Sequence, residues 1–253
     1  MPFLTAQNLR LEYELIPGQR AAPQLCLLHE GLGCVALWRD LPARLAAATG
    51  CRTLVYSRQG YGQSDRLAAP RAVDYMHREG LEVLPLVLQE LGVDDPVLIG
   101  HSDGASIAMI YAGSGGWRVR GLVLIAPHVF VEARTIAGIE AAAVAYRTTD
   151  LKQRLARYHA HPDETFWGWN DIWLRPEFRA WNIESFLGGI DCPLSLIQGA
   201  DDEYGTLAQF ERIRRGVASR DITELVLPDC GHTPQRDQPA SLERAITDFV
   251  AKL

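Results

Sequence analysis

Short, nearly unbroken apolar runs alternate with helix-length amphipathic stretches through the first half of the chain. Gln24–His29, Thr53–Tyr56, Val97–Ile99 and Gly121–Ala126 are such runs, rich in Leu, Val and Ile. A strand buried on both faces needs that composition. Between them, Leu37, Leu41 and Leu45 repeat at helical spacing across Leu37–Ala48, and Gly50 supplies a stop. Val73–Leu91 reads as a long helix with a kink at Pro85, and Ala105–Ala112 as another. Leu9–Ile16 predicts an earlier strand and Pro17-Gly18-Gln19 a turn, with a weak strand signal near Arg20-Ala21. Strand–helix alternation of this kind predicts an α/β fold: a mainly parallel central sheet with helices on both faces.

The rhythm then breaks. From Val131 to Leu187 no strand pattern occurs; Ala133–Tyr146 and Leu151–His159 read as helices. An aromatic segment follows, with Phe166, Trp167, Trp169, Trp173, Phe178, Trp181 and Phe186, and it holds four of the six tryptophans. Strand patterning resumes at Pro193–Gln198 and Thr223–Leu227, with helices over Leu207–Val217 and Ala240–Lys252. The expected organisation is a core of residues 1–130 and 188–253, with 131–187 inserted between sheet strands as a helical cap, or lid. Its aromatics, Tyr146, Trp167, Trp169 and Trp173 among them, are candidates to line a pocket above the strand ends.

The chemistry concentrates where strands end. Gly100-His101-Ser102-Asp103-Gly104 follows a strand and opens a helix, the setting in which a G-x-S-x-G serine stands clear of the backbone. A nucleophilic serine needs a base, and the base needs an orienting acid. Gly199-Ala200-Asp201-Asp202-Glu203 follows one later strand and Asp229-Cys230-Gly231-His232 follows the last. The order is therefore Ser102, Asp202, His232. Asp201 is the rival acid, disfavoured by the glycine spacing. Glu203 reads as a solvated neighbour and Asp229 as a turn residue. His29 and His101 read as structural, and His77, His128, His159 and His161 carry no motif.

Taken together these motifs resemble the α/β-hydrolase superfamily over almost the whole chain. Gly100–Gly104 resembles its nucleophile elbow, Gly199–Asp202 its acid motif and Gly231-His232 its base motif. Ser57-Arg58-Gln59-Gly60-Tyr61-Gly62-Gln63-Ser64 resembles its D-x-x-G-x-G-x-S loop, with Ser57 where the acid usually stands. His29-Glu30-Gly31-Leu32-Gly33 resembles its oxyanion loop, with Glu30 in place of the first glycine. The resemblance implies a serine hydrolase acting on a small carboxylic ester through an acyl-enzyme. Ser102 would attack, His232 would move the proton and Asp202 would hold the imidazole. The backbone N–H of Asp103, with that of Gly31 or Leu32, would meet the oxyanion. Glu30 and Asp103 either give the pocket an acidic rim or turn away into local hydrogen bonds.

Composition narrows the field. The chain has 253 residues and a net charge of −6, which speaks against nucleic-acid binding by general basicity. Lys152 and Lys252 are the only lysines, and neither ends a strand, so Schiff-base chemistry is disfavoured. No leader-like N-terminus and no bilayer-length apolar run occur, and Cys26, Cys34, Cys51, Cys192 and Cys230 show no metal-site or disulfide spacing. A cytoplasmic protein without metal, cofactor or membrane partner is expected, with a small-molecule substrate bearing an apolar or aromatic part. Gly31-Leu32-Gly33-Cys34-Val35-Ala36 matches G-x-G-x-x-A, but the next strand ends in Ser57-Arg58 and lacks the acid a dinucleotide site wants. Lactonase, thioesterase and C–C hydrolase activities are alternatives on the same triad. A non-enzymatic ligand receptor of this fold is a further one.

Overall fold

The computed structural model describes residues 2–6, 8–19 and 22–253. Eight strands form one sheet in the order β1-β2-β4-β3-β5-β6-β7-β8. They are β1 (Phe3–Ala6), β2 (Leu9–Ile16), β3 (Gln24–Leu28), β4 (Arg52–Tyr56), β5 (Val97–His101), β6 (Gly121–Ile125), β7 (Leu194–Gly199) and β8 (Ile222–Leu227). The β1–β2 and β2–β4 pairs are antiparallel, and all pairs from β4 to β8 are parallel. The helices are α1 (Leu41–Thr49), α2 (Tyr75–Arg78), α3 (Leu84–Glu90), α4 (Asp103–Gly113), α5 (Ala133–Thr148), α6 (Leu151–Leu155), α7 (Pro162–Leu174), α8 (Glu184–Leu187), α9 (Ala208–Gly216), α10 (Pro234–Asp237) and α11 (Pro239–Val250).

The central strands explain their own composition. Side chains alternate across a strand, and both sides of this sheet are covered. Leu25, Leu27, Val97, Ile99, Val123 and Ile125 meet Leu45 of α1 and Leu242, Ile246 and Phe249 of α11. Cys26, Leu28, Leu98, Leu124 and Leu196 meet Leu84, Val87, Ile107 and Ile213 from α3, α4 and α9. A polar residue would be stranded on either face, so the runs are apolar throughout.

Several expectations are corrected. β1 carried no recognisable pattern; it pairs with β2 through Phe3↔Glu12 to Ala6↔Leu9. The helix expected over Leu37–Ala48 is two pieces, a 3-10 turn at Val35–Trp38 and then α1, separated by Arg39 at φ 54°. Pro42 is the reason: it suits the first turn of a helix and cannot donate within one. The long helix at Val73–Leu91 begins at Tyr75 and passes through a π turn at Glu79–Val83 before Pro85 enters the first turn of α3. The widened turn absorbs the hydrogen bond that Pro85 cannot make. The helix expected to His159 stops at Leu155. The aromatic segment, assigned no element, forms α7, a 3-10 turn at Pro176–Ala180 and α8, with Pro162 in the first turn of α7 beside Asp163 and Glu164. The weak strand signal near Arg20-Ala21 lies outside the described residues.

Between β6 and β7 the described residues form helices only, apart from one antiparallel bridge, Phe130↔Asn182, which ties the start of this segment to its end. Phe166, Trp173 and Phe178 from the segment pack into the same cluster as the α3–α4 side of the sheet. Among the described residues no helix is long and apolar enough to cross a membrane.

Candidate active site

Ser102 sits between β5 and α4 at φ 54° and ψ −116°, a conformation L residues avoid. Two close approaches hold it there. A Cβ on Gly100 would lie 2.4 Å from the Gly104 carbonyl oxygen, and one on Gly104 would lie 2.0 Å from that of Leu28. Only glycines let strand and helix pass this closely. The Ser102 N–H donates to the Ile125 carbonyl at 2.9 Å, and the Ser102 carbonyl accepts from Ala105 and Ser106. The side chain is left to face a cavity of about 190 Å³.

His232 borders the same cavity, on the loop after β8. Its Nδ1 lies 2.9 Å from both carboxylate oxygens of Asp202, which is buried on the loop after β7. Asp201 is exposed and its side chain does not reach the imidazole; the alternative acid is thereby set aside on geometry. Asp202 Oδ1 also accepts the N–H groups of Tyr204 and Gly205 at 2.8 and 3.2 Å. Burial pushes the Asp202 carboxyl up, but the His232 charge and hydrogen bond outweigh it and hold the group below the usual carboxylate range. Burial likewise pushes His232 down, and Asp202, followed by Glu203 and Glu30, raises it above the usual imidazole value. Glu203 is exposed as expected, but it also acts on the site: its Oε2 accepts the His232 N–H at 3.0 Å, and it borders the cavity. Ser102 Oγ makes no hydrogen bond among the described residues. In ligand-free enzymes the serine–histidine contact commonly closes only when substrate binds.

The loop opposite Ser102 is held from behind. The Arg58 guanidinium donates to the carbonyls of His29 and Glu30. The Arg58 N–H donates to His29 Nε2, so His29 carries its proton on Nδ1 and gives it to the Glu30 carbonyl at 2.7 Å. His159 spans the next gap, taking the Gly62 N–H on Nδ1 and donating from Nε2 to the Leu32 carbonyl at 3.0 Å. With the carbonyls tied outward, the N–H groups of Gly31, Leu32 and Asp103 donate to no protein acceptor among the described residues. Trp169 covers the loop so closely that a Cβ on Gly31 would fall 2.0 Å from its Nε1. The missing acid at Ser57 is supplied from the neighbouring strand. Ser57 Oγ donates to Glu12 Oε2 at 2.8 Å and accepts the Val35 N–H, while Gln63 N–H also reaches Glu12.

Of the expected pocket residues, Glu30, Trp169 and Trp173 border the cavity. Tyr146 and Trp167 do not, and this expectation is corrected. Tyr146 stacks on Phe166 at 3.8 Å and donates to Asp163. Trp167 faces away, under the Arg147 guanidinium, and lines a separate hollow with Leu67 and Arg71. The acidic rim is half realised. Glu30 stands at the rim with Oε2 3.4 Å from His101 Nδ1. The Asp103 carboxylate is buried, accepts from Tyr75 Oη at 2.7 Å and lies 3.8 Å from Arg58. His101 is structural as expected: its Nε2 donates to the His232 carbonyl, and Nδ1 accepts from Gln235.

Sequence reasoning missed His128, Thr135, Ile139, Tyr204, Thr233 and Arg236, which complete the cavity. His128 is pushed down to about 3 by burial and then by the His232 charge, and is therefore neutral. Its Nδ1 has no hydrogen-bond partner among the described residues. Its place just past the carboxyl end of β6 was the available signal. Thr135 and Ile139 share one face of α5 at i and i+4.

Residues 27–245 match the sequence profile of the alpha/beta hydrolase family. The protein named "Putative carbamate hydrolase RutD" of Variovorax paradoxus is 27% identical over 90% of this chain and 91% of its own length. The enol-lactonase of Burkholderia xenovorans LB400 superposes with a TM-score of 0.76 at 20% identity, covering 99% of this chain and all of the other. The meta-cleavage product hydrolase of Pseudomonas fluorescens IP01 also gives a TM-score of 0.76, at 17% identity over 100% of this chain and 98% of its own. Profile, strand order and the serine at its strained turn agree: this chain belongs to the alpha/beta hydrolase family, and it is a hydrolase.

Proposed function

We propose that the chain is a serine hydrolase that cleaves a small carboxylic ester through Ser102, His232 and Asp202. The observation that carries this is the His232 imidazole, bound through Nδ1 to both Asp202 oxygens and bordering the cavity that holds Ser102. Ser102 Oγ attacks the carbonyl as His232 Nε2 takes its proton. The N–H groups of Asp103 and of Gly31 or Leu32 receive the oxyanion. The alkoxide leaves with the proton from His232, and water, deprotonated by the same imidazole, releases the acid. Residues 131–187 act as the lid. Trp169, Trp173 and Ile139 favour an apolar or aromatic acyl part. The carbamate named for the Variovorax paradoxus relative has a carbonyl between heteroatoms, which the same attack suits.

A fluorophosphonate probe tests the nucleophile. Peptide mapping is expected to find one adduct, on Ser102, and an adduct elsewhere or none refutes the assignment.

The pH profile tests the base. Only neutral His232 can accept the serine proton, so kcat/KM is expected to rise with pH through the His232 pKa. That midpoint lies above the ordinary imidazole value of 6.5, because Asp202 and Glu203 favour the charged form. Glu203→Gln is expected to move the acid limb to lower pH. An unmoved limb removes Glu203 from the account.

A further inference from the structure

A second hollow, of about 440 Å³, opens from the rim of the catalytic cavity, and Glu30, Leu32, Thr233 and Arg236 border both. Beyond that rim it is strongly basic. Arg39, Arg44, Arg154 and Arg157 line only the outer hollow, against one further carboxylate, Asp40. Five arginines thus converge here on a chain whose net charge is −6. Arg44 is held by Asp40 and Glu243, Arg154 approaches Asp150 at 3.4 Å, and Arg236 binds Asp237. Arg39 and Arg157 have no carboxylate partner among the described residues. Arg39 is also fixed at φ 54°, a strained conformation for an arginine at the edge of a cavity.

The position of the hollow says which half of a substrate it receives. His232 donates its proton to the leaving group. Thr233, Gln235 and Arg236, the residues just after His232, form one wall of the hollow. The leaving group therefore extends into it, while the acyl part lies under Trp169 and Trp173. At the shared rim the wall offers Leu32 and Thr233 beside Glu30 and the Asp237-paired Arg236, and the unpaired cations, Arg39 and Arg157, line only the outer hollow. A matching leaving group has a neutral arm next to the scissile bond and several anionic groups at its far end.

Resting on the serine-hydrolase reading above, we propose that the site also takes an acyl thioester of a phosphate-bearing thiol of the coenzyme A type. The outer arginines would hold its nucleotide phosphates. Ser102 Oγ bonds to the thioester carbonyl carbon, and the C–S bond breaks. The thiol leaves with the proton that His232 took from Ser102. Water then hydrolyses the acyl–serine, so thioester and water give carboxylic acid and thiol, with no oxidant or reductant.

The test compares one short acyl group carried on coenzyme A, on 4′-phosphopantetheine and on N-acetylcysteamine. At low ionic strength kcat/KM is expected to be about tenfold or more higher for the coenzyme A ester than for the N-acetylcysteamine ester, a preference that falls as salt screens the arginines. The double variant Arg154→Gln/Arg157→Gln, on exposed positions, is expected to bring that ratio toward one. Arg120→Gln, a surface arginine paired with Asp95 away from the hollow, is expected to keep it. Free 3′,5′-ADP is expected to compete with the coenzyme A ester in the wild type and more weakly in the double variant. Equal kcat/KM for the coenzyme A and N-acetylcysteamine esters overturns the inference and leaves the serine-hydrolase reading standing. Equal values for coenzyme A and phosphopantetheine overturn the nucleotide assignment. Hydrolysis of p-nitrophenyl acetate without turnover of any thioester overturns the inference alone, and turnover of no ester or thioester overturns both.

Discussion

Ser102→Ala is expected to lower kcat on chromogenic esters on the order of a million-fold, because a triad works as a unit and loses nearly all its effect with any member. Residual activity within tenfold of wild type would refute the mechanism. The fold should survive the change, since Ser102 Oγ has no hydrogen bond to lose among the described residues. Ser102→Gly adds a second reading. Both variants lack the hydroxyl, so their difference isolates the Cβ held at φ 54°. Strain of this kind costs roughly 1–3 kcal/mol and glycine escapes it, less about 0.5–1 kcal/mol for its freer unfolded chain. Ser102→Gly should therefore unfold at a higher temperature than Ser102→Ala, as measured by calorimetry. The opposite order would mean that the elbow is not strained.

Arg58→Met is expected to be the most damaging change away from the cavity. Arg58 and Asp103 are both about 1% exposed, and their charges lie 3.8 Å apart. Removing one member of a buried pair typically costs about 3–5 kcal/mol, which for a chain of this size lowers Tm on the order of 10 °C. Activity should fall for a separate reason. Arg58 holds the carbonyls of His29 and Glu30, just ahead of the amides proposed to meet the oxyanion. Arg58→Met/Asp103→Asn separates the two effects. It leaves no unpaired Asp103 carboxylate, so much of the stability should return, while kcat should stay low because the loop is still untied. Full recovery of both would show that Arg58 only balances Asp103.

The contrast between these two residues shows what could be read from the chain. Ser102, Asp202 and His232, the proposed triad, are legible because each sits on a turn past a strand beside a glycine, and a Cβ on Gly100, Gly104 or Gly199 would strike backbone. Arg58 stands inside a recognisable loop motif, yet its work is done on residues almost thirty positions away, and no local pattern records that. Ser57 illustrates the same gap. Its motif position looked deprived of an acid, while Glu12 supplied one from an antiparallel strand. The 131–187 segment was legible as helical and aromatic but its phase was not. Without knowing that one helix runs from Pro162 to Leu174, nothing distinguished Trp167 from Trp169. Once it does, Trp169 and Trp173 fall on one face at i and i+4, and Trp167 falls on another. His128 was passed over for lack of a motif, although the end of a central strand was reason enough to weigh it.

The bridge between Phe130 and Asn182 bears on how such a protein diversifies. Residues paired in this way lie about 5 Å apart, so a long stretch of chain leaves and re-enters the sheet layer through a single narrow gate. The parts between that do not pack on the sheet can lengthen, shorten or be exchanged while strands β6 and β7 keep their register. The exchange must keep the core packing of Phe166, Trp173 and Phe178, the His159 hydrogen bonds to Gly62 and Leu32, and above all the indole of Trp169 seated on Gly31. Any replacement segment must present a surface as flat and as close at that spot, or the amides beneath it lose their roof. Variation in what the site accepts is thus easiest along the solvent side of the segment and constrained at these contacts.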